Sequence, residues 1–101
     1  MRRAARVDEN QSEIVQGLMK MGAMVQLLHA VGQGCPDILV GYHGKNYLIE
    51  IKNPNKPKSD QQLTKDQVTW HSLWPGQKAI VRTVKEAVRV INCNGLGNDA
   101  A

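Results

Sequence analysis

The stretch PDILVGYHGKNYLIEIKN, residues 36–53, constrains the chain more than any other. Two strand-like runs, PDILVGY and NYLIEIKN, are separated only by His43-Gly44-Lys45, a gap that suits a tight hairpin turn at Gly44. The two runs therefore pair antiparallel. In the second run Glu50 and Lys52 alternate with Ile49 and Ile51, so the two-residue period of a strand puts the charged pair on one face and the isoleucines on the other. A turn around Gly44 and Lys45 sets Asp37 opposite Lys52 and Leu39 opposite Glu50, and all three charged groups converge. A slip of one residue would send Asp37 to the other face, so the register decides whether they meet.

The rest of the chain supplies elements on both sides of this hairpin. Between Asp8 and Gly22, Ile14, Val15, Leu18, Met19 and Met21 follow helical spacing, with Asp8/Gln11 or Asn10/Glu13 as capping pairs and Gly22 as the stop. AMVQLLHAV then reads as a strand ending at the turn residues GQG. NPNKPKSDQQ, with two prolines and almost nothing apolar, reads as a loop. In LTKDQVTWHSLW, Thr64 is an N-cap with Gln67 three residues on, and Leu63 faces Val68 as a staple. Val68 and Leu73, with one or both of Trp70 and Trp74, form the expected buried stripe of this helix, which Pro75-Gly76 ends. QKAIVRTV is a strand, Thr83 and Glu86 open a last helix at KEAVRVI, and NCNGLGNDAA has the composition of a frayed tail. The order predicts an α/β domain with a mixed four-stranded sheet flanked by helices.

Composition narrows the function classes. A chain of 101 residues with 42% hydrophobic and 22% charged residues has enough apolar surface for one core, and neither disorder nor a coiled coil fits it. Cys35 and Cys93 form no CxxC pair, which argues against a disulfide framework or a structural zinc site and makes a reducing cytoplasm the default. MRRAAR is followed by VDENQSE rather than an apolar stretch, so no signal peptide is expected, and no apolar run is long enough to suggest a membrane span. The net charge of +4 favours polyanionic partners. Lys52, Lys56, Lys58 and Lys65 occupy one polar stretch, while Arg2, Arg3 and Arg6 sit near the N-terminus. Both groups suit phosphate contacts, and a solvated loop with a frayed basic tail accounts for them equally well.

Two carboxylates and an ammonium placed side by side are costly to bury unless a hard cation and a polar substrate share the site. Carboxylate oxygens suit Mg²⁺ or Mn²⁺, with phosphate oxygens completing the sphere and Lys52 beside the attacking water. A lone ExK would be explained as a surface pair. PD, a hairpin-length gap, ExK between isoleucines and a lysine-bearing loop together form a much rarer combination.

The first helix, GCPDILV, YLIEIKN and the LTKDQ helix resemble the PD-(D/E)xK nuclease superfamily. Within it, the small size, the G-x-PD opening and the LT-x-x-Q segment are most similar to the VRR-NUC (virus-type replication-repair nuclease) family, particularly its stand-alone phage members, over roughly residues 9–91. The resemblance implies a restriction-endonuclease-like core in a single nuclease domain spanning 1–101, with basic N-terminal and polar C-terminal tails. It implies Asp37 and Glu50 as ligands of Mg²⁺ or Mn²⁺, the Ile51 carbonyl as a backbone ligand and Lys52 as the catalytic lysine. Glu13 would face the metal directly or through water, and Gln67 would orient the lysine or the phosphate. Each of these last two has a structural rival: Gln67 as the third residue of a capping box, Glu13 as a helix-dipole partner.

The implied activity is that of a metal-dependent endodeoxyribonuclease acting on branched DNA, first of all resolving Holliday (four-way) junctions as a homodimer, in the cytoplasm of a bacterial cell if phage-encoded. A flap or duplex-end nuclease and a non-catalytic DNA-binding module are the alternatives. Lys56, Lys58, Lys65, Arg2, Arg3 and Arg6 would contact the DNA backbone. Trp70 and Trp74 are expected in the core and Cys35 as a small buried residue. His29 and His43 are isolated, and His71 stands where some related nucleases carry a tyrosine.

Overall fold

The computed structural model describes residues 9–93, so Arg2, Arg3, Arg6, Asp8 and the tail from residue 94 lie outside the described residues. The elements are α1 (Gln11–Lys20), β1 (Met24–Leu27), β2 (Ile38–Tyr42), β3 (Lys45–Ile51), α2 (Lys58–Gln61), α3 (Lys65–Leu73), β4 (Lys78–Val81) and α4 (Val84–Asn92). The strands form one sheet in the order β1-β2-β3-β4. The first three are antiparallel, while β4 runs parallel to β3, as a strand returning through a helical crossover does. The expected α/β architecture, a mixed four-stranded sheet flanked by helices, is the one observed. No described helix is long and apolar enough to cross a membrane.

One face of the sheet carries the core. Ile38 and Val40 of β2, Tyr47, Ile49 and Ile51 of β3 and Val81 of β4 pack with Ile14 and Leu18 of α1 and with Ala87 and Ile91 of α4. Alternation then directs Leu48, Glu50 and the following Lys52 to the opposite face, over which α3 lies. Asn10 stands at the N-cap of α1 but caps nothing with its side chain, contrary to the expected Asn10/Glu13 pair. Its amide instead donates to the Lys52 carbonyl at 3.1 Å and the Arg82 carbonyl at 2.8 Å, tying the start of α1 to the ends of β3 and β4.

The hairpin register differs from the expected one. Its turn is His43-Gly44, both at positive φ (49° and 80°) as a two-residue type I′ turn requires, and Tyr42 pairs with Lys45. Ile38 therefore faces Ile49, and Leu39 faces Leu48 rather than Glu50. Every partner on β3 is displaced by two positions. Because side chains alternate with a period of two, an even displacement leaves the same residues on the same face, and Asp37 still meets Glu50 and Lys52.

Three other expectations are corrected. The first strand stops at Leu27, and a loop follows in which Gly32, Gln33 and Gly34 all have positive φ. The polar stretch after β3 contains the single-turn α2, held by Gln61, whose amide donates to the Lys56 carbonyl at 2.8 Å and whose oxygen accepts from Arg82 Nε at 3.0 Å. The capping box of α3 is present, but its expected buried stripe is not: Val68, Leu73 and Trp74 are 52%, 74% and 39% exposed, and the buried residue is His71. The sheet face beneath α3 carries Glu50 and Lys52, and the helix turns Gln67 towards them, with His71 buried one turn further on.

Candidate active site

At the carboxyl end of β3 the structure opens into a cleft of about 600 Å³, lined among others by Asp37, Glu50, Ile51, Lys52 and Gln67. Three elements supply the polar groups. Asp37 immediately precedes β2, Glu50 and Lys52 come from the end of β3, and Gln67 lies in the first turn of α3. Asp37 Oδ2 accepts the Ile51 N–H at 2.6 Å and the Asp37 N–H donates to the Ile49 carbonyl at 3.1 Å, which locks the start of one strand onto the end of the next. Lys52 Nζ lies 3.6 Å from Glu50 Oε2, and both side chains are almost fully buried.

Gln67 completes the arrangement. Its Oε1 accepts from Lys52 Nζ at 2.9 Å and its Nε2 donates to Glu50 Oε2 at 2.9 Å. The same Oε1 accepts the Thr64 N–H at 2.9 Å, while Thr64 Oγ1 accepts the Gln67 N–H at 3.2 Å. The capping and site roles that compete as explanations of Gln67 in the sequence are thus filled by one amide at once. Lys78 of β4 secures the other end of α3, donating from Nζ to the carbonyls of His71 and Trp74.

Electrostatics set the state of the acids. Burial, then the neighbouring Asp37 charge, pushes the Glu50 carboxyl up to about 8, against a partial opposing pull from Lys52. Glu50 Oε1 is buried and has no hydrogen-bond partner. Two carboxylates this close are relieved only by a proton or a cation between them, and an orphaned carboxylate oxygen is the ligand type that Mg²⁺ or Mn²⁺ takes. Among the described residues no group of three or more His, Cys, Asp or Glu is arranged for an ion. The two carboxylates in the cleft, Asp37 and Glu50, are the donor set of a hard cation that takes one or two protein carboxylates and fills its sphere with water and substrate oxygens. Cys35 also lines the cleft, half-buried, and its thiol is pushed up by burial, then by Glu50 and Asp37, which keeps it protonated and poorly nucleophilic.

Asp37, Glu50, Ile51, Lys52, Gln67 and Lys56 thus line one cleft. Glu13 does not: Gln11, Ile14 and Leu18 form the buried side of α1, and Glu13 projects to solvent away from them. Glu9, one helical turn earlier in sequence, lines the cleft in its place. Lys58 and Lys65 are exposed and stand beside the lining residues Ser59 and Asp66. His29, Asp60 and Asp66 also line the cleft and carried no sequence signal, because each depends on how a loop or helix end folds over the sheet.

No family model matches the sequence, and no curated protein does. A solved structure described as a VRR_NUC domain is similar, with 22% identity and a TM-score of 0.62 over 81% of this chain and 89% of that one. The chain shares its fold with that domain.

Proposed function

We propose that this chain is a metal-dependent DNA endonuclease of the VRR-NUC family, formed by one nuclease domain, that hydrolyses phosphodiester bonds with water as the nucleophile. The observation that carries the reading is the meeting of Asp37, Glu50 and Lys52 in one cleft, with Gln67 bonded to both Glu50 and Lys52. The shared fold with a VRR_NUC domain supports it.

Asp37, Glu50 and the Ile51 carbonyl would hold Mg²⁺ or Mn²⁺, which when bound supplies Lewis-acid polarisation of the phosphate and an acidified water. The protein's own groups do the rest. Lys52, kept in place by Gln67, presents a fixed positive charge that orients the attacking water and stabilises the charge gathering on the phosphate oxygens. Asp37 anchors the Ile51 peptide and so holds the two strand ends at a constant separation. Lys56 in the cleft, Lys58 and Lys65 beside it, and Arg2, Arg3 and Arg6 contact the DNA backbone, which makes binding salt-sensitive and directed to shape.

The described residues offer one such cleft, so symmetric cutting of two strands takes two protomers, and a homodimer acting on four-way junctions is the economical assembly. The test is cleavage of labelled four-way, flapped and linear DNA with Mg²⁺, Mn²⁺ or chelator, alongside a solution mass measurement. Symmetric, metal-dependent cuts at the junction are expected. Cutting restricted to flaps or duplex ends would reassign the substrate, and cleavage undiminished by chelator would remove the metal from the mechanism.

A further inference from the structure

The face of α3 beside the one that carries Gln67 and His71 takes no part in the core and meets the cleft only at Asp66. Residues 66, 69, 70, 73 and 74 fall on one helical stripe, and Asp66, Thr69, Trp70, Leu73 and Trp74, with Gln33 of the loop opposite, line a groove of about 400 Å³. Trp70 and Trp74 lie with ring centroids 5.0 Å apart and planes 14° from parallel. Most of the Leu73 surface and over a third of the Trp74 surface face solvent. Both tryptophans of the chain are thus placed on a helix whose one buried residue is a histidine.

We propose that this groove binds an unpaired nucleobase of the same strand whose phosphodiester enters the cleft, by stacking on the Trp70–Trp74 pair. The inference rests on the nuclease reading but not on its choice of a four-way junction, whose arms are fully paired: it calls for a substrate with unpaired nucleotides next to the cut.

Continuity is the first argument. Asp66 lines both the cleft and the groove, so the two share a wall. Gly34 of the cleft and Gln33 of the groove are neighbours in the loop that packs on this wall, where Gly34 lies so close to the Asp66–Gln67 backbone that any side chain would collide with it. Reach is the second. From Gln67 to Trp70 and Trp74 the helix rises about 5 and 10 Å at 1.5 Å per residue, a span that a few nucleotides cover at about 3.4 Å each when stacked.

Chemistry is the third argument. Every base has a π-face, and parallel indoles receive one without reading its sequence. Along the groove, Gln33, Thr69 and Asp66 offer amide, hydroxyl and carboxylate groups to a base edge. A second copy of the chain is the weaker occupant. The groove is one face of a nine-residue helix about 13 Å long, far from the roughly 800 Å² per partner that a stable interface buries.

Because Trp70 and Trp74 are the only tryptophans, the whole indole fluorescence of the protein reports on the groove. The full chain carrying Asp37→Asn is titrated with a short single-stranded oligonucleotide and, separately, with a blunt duplex of the same sequence. Quenching by the single strand and not by the duplex is expected. Trp74→Ala should weaken single-strand binding, followed by fluorescence anisotropy of a labelled oligonucleotide, about tenfold at a stacking contribution of 1–3 kcal/mol per base. Trp74→Phe should restore most of it. Circular dichroism of each variant checks that it is folded.

Absence of quenching, or equal binding by wild type and a folded Trp74→Ala, overturns the proposal. So does a fluorescence change that follows protein concentration without DNA, which would assign the groove to a second copy. The two readings fail separately. Cleavage by wild type without quenching removes the groove and leaves the nuclease, whereas single-strand quenching in a protein that cuts no DNA supports the groove and removes the nuclease.

Discussion

Gln67 Oε1 lies 2.9 Å from Lys52 Nζ, so the ammonium in the cleft is positioned by the first turn of a helix rather than by its own strand. The same amide caps that helix. Folding of the α3 N-terminus and placement of the lysine are therefore one event.

Substitutions at Gln67 separate the two roles. Gln67→Ala removes both, and we expect a loss of about 1 kcal/mol of stability together with a cleavage rate lower by about 10- to 100-fold. Gln67→Glu keeps an acceptor for the Thr64 N–H, so the melting temperature should stay close to wild type while cleavage still falls. The cause is a second negative charge facing Glu50 in place of the amide donor. Thermal melts and single-turnover cleavage measure the two separately.

Lys52→Ala and Asp37→Asn should each abolish cleavage, by about 10³-fold or more, while DNA affinity measured with chelator present changes little. Lys52 is almost fully buried and contributes its charge at a point inside the cleft, whereas the backbone contacts assigned to Lys56, Lys58 and Lys65 are unaffected. Unchanged turnover in either variant would defeat the mechanism.

The raised Glu50 pKa predicts a pH dependence of stability. With a folded value of about 8 against 4.5 unfolded, the native state binds the proton more tightly across that interval. Stability of metal-free protein should thus fall as pH rises from about 5 to 8, at up to roughly 1.4 kcal/mol per pH unit. Glu50→Gln should flatten the slope. Mg²⁺ should also flatten it by compensating the ionised pair, a result read from melting temperatures with and without chelator.

Gly34→Ala tests the contact between the loop before Asp37 and the start of α3. At φ 83° and against the Asp66 carbonyl, a methyl group is both strained and obstructed. Stability in urea should drop by more than about 1 kcal/mol. Cleavage by the folded fraction should drop as well, because Asp37 and Gln67 sit on the two sides of that contact.

Much of the site was legible in the chain itself. The spacing of Glu50 and Lys52 against Ile49 and Ile51 assigned faces without any knowledge of partners, and those faces survived an error in the hairpin turn because the error was even. Thr64 and Gln67 announced their capping box because its two bonds lie within four residues. Glu13, Leu73 and Trp74 carry no such local signal of the direction in which they point. Helical spacing says which residues share a side, but not which side faces the protein, and that depends on what the sheet presents.

The sequence by itself determined the order of the strands and of the three longer helices, the charged face of β3 and the start of α3, all of which rest on hydrogen bonds and alternation local to a few residues. Only the tertiary structure decided that the turn is His43-Gly44, that Glu9 rather than Glu13 lines the cleft, and that α3 turns Gln67 and His71 inward while Leu73 and Trp74 face solvent. These outcomes are set by packing between segments far apart in the chain, where the buried Glu50 and Lys52 take Gln67 as their partner and no local pattern can record the choice.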